Sequence, residues 1–133
     1  MARLRKKQGG FTLIELMIVI SIMLILVSMA IPAYKTSILR AKESVLKQNL
    51  FTLRSLISQY TLDKQKAPQA LEDLVSAGYI KNIPNDPMTG APNWEPVQEE
   101  DYALSVDQTD TGITDVKSAS SDISSDGTAY NTW

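Results

Sequence analysis

Residues 9–15 read Gly9-Gly10-Phe11-Thr12-Leu13-Ile14-Glu15, and from Leu16 to Tyr34 the chain carries no charged side chain. At 1.5 Å per residue, a helix over the roughly 23 positions from Phe11 to Ala33 reaches about 35 Å, enough to cross a bilayer. Arg3, Arg5, Lys6 and Lys7 stand just ahead, with no acid before Glu15. Such a basic flank stays cytoplasmic and sends the residues beyond the helix across the membrane. A secretory signal would instead be cut after a shorter apolar run, where Ser28-Met29-Ala30 offers only a weak site. Glu15 is the anomaly, because a carboxylate near the start of a spanning helix is costly without a partner or a route to the headgroups. Taken alone, Gly9-Gly10 is equally a flexible linker.

The rest of the chain divides by charge. Between Lys35 and Lys66 seven basic residues face only Glu43 and Asp63, whereas beyond Lys66 two basic residues face twelve acids. A basic stem is thus followed by an acidic head. Both are either solvated surfaces or the two sides of a contact between subunits. With 133 residues, part of them in the apolar run, there is room for one small domain with a modest core. Cys and His are absent, so thiol nucleophiles, disulfides and the commonest acid/base and metal ligand are excluded.

Pro32 ends the apolar run, removes one helical hydrogen bond, and should kink the helix or let it melt locally. Beyond it, Leu39, Leu46, Leu50, Leu53, Ile57 and Tyr60 recur at helical spacing to about Asp63, a stripe that packs on the head. The stripe is too short for a coiled coil to be the better reading. Pro68 to Ala77 predicts a second helix with Gly78 as its cap, and Pro84 to Gly90 is dense in turn formers. Strand-like runs at Asn93–Val97, Tyr102–Val106 and Gly112–Lys117 predict a small antiparallel sheet against the stem. The fold class is α+β, a ladle whose long N-terminal helix projects beyond the head. The segments are 1–10, 11–34, 35–66, 67–92 and 93–133. Trp94 and Trp133 read as packing residues.

The sequence from Gly9 to Glu15, behind a basic leader and ahead of an apolar span, resembles the processing site of type IV pilins and type II secretion pseudopilins, the class III prepilins. The stretch from Ala70 to Ile80 and on to Trp94 resembles the loop between stem and sheet in major pseudopilins. The resemblance implies that a prepilin peptidase cuts between Gly10 and Phe11 and that Phe11 is then N-methylated. It also implies that Glu15 pairs with a neighbouring subunit's N-terminal amine during assembly, which would offset part of the cost of burying both charges. The expected function is that of a major pseudopilin, a structural subunit that polymerises with copies of itself in an export system, with an inner-membrane platform, a motor and minor pseudopilins as partners. It would sit in the inner membrane with its head in the periplasm, then in a filament. A type IV pilin for adhesion, motility or DNA uptake is the alternative; missing cysteines and the loop match favour the pseudopilin. From another class, a single-span anchored binding protein would fit the helix but leave Gly10 and Glu15 without a role.

Ser118 to Trp133 is rich in oxygen donors, the ligands a hard cation prefers. Major pseudopilins hold a structural calcium in a C-terminal loop with a terminus like Asn131-Thr132-Trp133. By that resemblance Asp122 and Asp126 become the calcium ligands, although this loop is shorter and has Ala129 where the family's later aspartate falls. No phosphate loop or nucleophile–base pair is present, so no enzymatic activity is expected. The acidic head repels phosphate, so no nucleic-acid partner is expected either.

Overall fold

The computed structural model describes residues 9–98 and 111–133. Among these, the elements are α1 (Leu13–Lys64), a short α2 (Glu72–Ser76), β1 (Glu95–Gln98), β2 (Ile113–Lys117) and a 3-10 turn, η1 (Tyr130–Thr132). The class is α+β, with one long N-terminal helix and a small antiparallel sheet. By internal contacts the chain forms two units, residues 1–38 and 39–133, and α1 contributes to both.

In the first unit α1 runs unbroken through Pro32. The expected local melting does not occur: proline withdraws a single N–H, and the remaining i→i−4 bonds hold the helix.

The second unit is built on the stripe, except for its first expected member, Leu39, which stays exposed. Leu46, Leu50, Leu53, Ile57 and Tyr60 of α1 are buried together with Leu71, Leu74, Trp94, Ile113, Val116 and Tyr130. Each fully buried Leu or Ile contributes about 1.5–3 kcal/mol of transfer free energy. The helix stops at Lys64, and the next residue, Gln65, turns into the left-handed region at φ 56°.

The second helix is shorter than the sequence predicts. Instead of starting at Pro68, α2 begins at Glu72, because the Asp73 carboxylate accepts the N–H groups of Gln69 and Ala70 at 2.8 and 3.1 Å and holds that segment as a turn. Its end agrees with expectation. Gly78 at φ 82° donates to Val75 O, and Tyr79 donates to Leu74 O, the paired bonds of a Schellman cap.

The sheet has two strands among the described residues, pairing Glu95 with Lys117 and Gln98 with Ile113. The run expected at Tyr102–Val106 lies outside the described residues. A register shift at Val97/Gln98 leaves Thr114 as the extra residue of a bulge. That bulge lets Ile113 and Val116, three positions apart, both enter the core.

Candidate functional site

The first unit is a helix with its apolar side chains outward on every side. Phe11, Leu13, Ile14, Leu16, Met17 and the large apolar residues through Ile31 are all exposed. A helix apolar all round requires an apolar surrounding that the rest of the described chain does not supply. Its two interior serines fit such a surrounding. Ser21 Oγ donates to Met17 O and Ser28 Oγ to Ile25 O, each at 2.7 Å, so neither hydroxyl seeks an outside partner.

Gly9, Gly10 and Phe11 precede this helix and are exposed, with open space where a Cβ would stand on either glycine. Thr12 then caps α1, its Oγ1 accepting the Glu15 N–H at 3.2 Å. Thr12-Leu13-Ile14-Glu15 therefore has the spacing of a capping box, and Glu15 lies in the first turn, where the helix dipole favours a carboxylate. The sequence reading of Glu15 missed this second, local role.

In the second unit the buried acid on the stripe is Glu43. It is 6% exposed, and its carboxylate takes three hydrogen bonds from the C-terminal loop. Ser125 N donates to Oε1 at 2.7 Å, Ser125 Oγ to Oε2 at 2.6 Å, and Tyr130 Oη to Oε1 at 2.8 Å. These bonds, chiefly those from Ser125, outweigh the desolvation of burial and hold the Glu43 carboxyl below its ordinary 4.5, with Lys47 helping. Burial first, then the bond to Glu43, pushes the Tyr130 phenol up to about 12.

The loop reaches Glu43 through a tight turn. Gly127 N bonds Ser124 O at 3.0 Å, Ser124 N bonds Thr128 O at 2.7 Å, and Gly127 sits at φ 84°, where a side chain would be strained. Inside the turn Ser124 Oγ accepts the Asp126 and Thr128 N–H groups. Arg54 ties the same loop to the sheet: its Nε meets Asp115 Oδ1 at 2.5 Å, and its Nη2 donates to Val116 O and Trp133 O at 3.0 and 2.8 Å. Trp133 packs edge-on to Tyr130 with ring centroids 5.1 Å apart, and Trp94 lies in the core with its indole N–H on Pro84 O. The Pro84–Gly90 segment is fastened by buried Asp86, which accepts the Met88 N–H and the Ser118 hydroxyl.

Asp122 and Asp126, the residues expected to hold calcium, do not converge with a third acid; no group of three or more metal-binding side chains occurs among the described residues. Asp126 is directed to Lys47, at 4.0 Å. A calcium site collects six to eight oxygens. Here the carbonyls of Asp122, Ser124, Thr128, Ala129 and Tyr130 each accept a backbone N–H, and the turn presents N–H and O–H donors to a carboxylate. That donor set fits an anion and does not fit the cation.

Glu43, Ser125, Tyr130 and Arg54 were not singled out from sequence. One signal was available: Glu43 falls four residues after Leu39 and three before Leu46, an acid on an otherwise apolar stripe.

The family model for the prokaryotic N-terminal methylation motif matches residues 5–31. The chain is 32% identical to type II secretion system core protein G of Klebsiella michiganensis over 65% of its own length and 72% of that protein's. It is 33% identical to the protein of the same name from Pseudomonas aeruginosa, over 62% of this chain and 70% of the relative. It is also 41% identical to the type IV major fimbrial protein FimA of Dichelobacter nodosus, over 50% of this chain and 41% of that protein. No solved structure gives a significant match.

Proposed function

The chain belongs to the type II secretion system core protein G family, the major pseudopilins, and from that premise we propose how it is processed, anchored and assembled. The observation that carries the proposal is the first unit: a helix uncharged from Leu16 to Tyr34, exposed on every side, behind a Gly-Gly-Phe and a single first-turn glutamate. Such a helix needs lipid around it, then other helices of its own kind.

In the proposed sequence the precursor spans the inner membrane once, leader inside and head in the periplasm. A prepilin peptidase cuts between Gly10 and Phe11, both exposed ahead of the helix, and Phe11 is methylated. An assembly platform and motor then move the subunit into a periplasmic filament with minor pseudopilins, and the filament's extension drives export. Glu15, next to the new N-terminus, receives a neighbour's amine, which supplies the countercharge when both leave water. The subunit acts mechanically and performs no catalysis. The FimA match supports a second reading, a type IV pilin, over a shorter span of the chain.

Mass spectrometry of the mature chain should find an N-terminal methylated Phe11; an intact leader would refute the processing step. Glu15→Ala should lower filament yield by about tenfold or more in a shearing assay, since a lone buried charge costs several kcal/mol. Polymerisation at the wild-type level would remove the pairing role. Circular dichroism of the same variant checks that loss of the first-turn acid, at about 0.3–1 kcal/mol, has not simply frayed α1.

A further inference from the structure

We infer that the C-terminal loop of this chain is closed by the Glu43 carboxylate instead of a divalent cation, so that the head folds and stays folded without calcium. In a calcium loop, carboxylate and carbonyl oxygens point inward on a positive charge. The arrangement here has the opposite sign. The loop points a backbone N–H, a serine hydroxyl and a tyrosine hydroxyl at a negative charge supplied by the stem helix. One residue of α1 thus does what a metal does elsewhere: it gathers donors from Ser125 and Tyr130, five positions apart, onto a single charged centre.

The remaining acids of the loop are arranged accordingly. Asp126 lies toward Lys47, whose Nζ also stands 4.5 Å from the Trp133 ring centroid, and the Asp122 backbone closes on Tyr130 N. The anchor is also internal to one chain and available at every calcium concentration.

A carboxylate anchor also carries a pH signature. The titratable groups that act on Glu43 are Lys47 on its own helix and the neutral Tyr130 phenol on η1, with Asp126 beyond Lys47 and Asp122 acting on Tyr130. Because the folded-state pKa of Glu43 lies below 4.5, its contribution is fully present above 4.5 and is lost as pH falls through the lower folded value.

The test is thermal unfolding of the processed full chain in detergent, with excess EGTA or with millimolar calcium chloride, for wild type, Glu43→Ala and Glu43→Gln. The wild-type Tm should be the same in both media, whereas Glu43→Ala should lower it by roughly 8–15 °C. Glu43→Gln, which keeps an acceptor, should lose less, and its Tm should fall less steeply than the wild type's as pH drops below 4.5. A wild-type Tm that rises with calcium and falls with EGTA would overturn the inference, whether or not the variants fold. So would a Glu43→Ala protein that melts with the wild type.

Discussion

From Leu13 to Ile38 α1 buries no side chain, whereas from Leu39 to Lys64 the same helix buries Glu43, Leu46, Leu50, Leu53, Ile57 and Tyr60. The helix continues from one half into the other, and it also crosses Pro32, within the outer half, without a break. What differs is the distribution of apolar residues. In the outer half they occupy every face, so no single packed surface could satisfy them. In the inner half most of them gather on one stripe, which a small sheet and a short helix can cover, while the other faces carry the basic residues together with exposed Val45, Phe51 and Leu62. The comparison shows where each half obtains its stabilisation. The inner half closes its own core within one chain, and the outer half depends on surroundings that the described chain does not contain.

The comparison can be broken most directly by truncating the stripe. Leu53, fully buried, should cost about 2–5 kcal/mol when changed to alanine, read as a lower denaturation midpoint of the head. Leu24, at 64% exposure and on the outer half, should leave that midpoint unchanged when changed to lysine. Instead Leu24→Lys should weaken membrane insertion by about 3 kcal/mol, read in an insertion assay. If Leu24→Lys moved the head's midpoint as much as Leu53→Ala does, the two halves would not be energetically separate. The smallest effect is expected at Lys47. Its pair with Asp126 spans 4.0 Å, with both side chains well exposed, so Lys47→Ala should change head stability by no more than about 1 kcal/mol.

The first unit and the stripe were legible from sequence because each is a periodic pattern: an uncharged run long enough for a bilayer, then apolar residues at helical spacing. The Gly78 cap was legible because a Schellman end calls for a residue that tolerates positive φ. The start of α2 was not, since Asp73 reaches back to Gln69 and Ala70 with a side chain that suits a helix first turn equally well. The bulge at Thr114 was hidden because a strand's alternation predicts one buried face, while Ile113 and Val116 share the core only after the register slips. At the C-terminus, Asp122, Asp126 and the serines suggested ligands by composition. Composition does not say which way an oxygen or an N–H points, and the partner of this loop lies 82 residues earlier on the stem.

The serines of the outer helix have one more consequence. Because Ser21 and Ser28 bond to their own helix, each hydroxyl carries its partner along when the helix moves. On the proposed path from bilayer to filament, most of the span therefore has no latch to undo. It can turn and translate with contacts exchanged gradually, as a greased rod slides in a sleeve. In that proposal Glu15, paired with a neighbour's amine, would give the rod a preferred stop at its first turn.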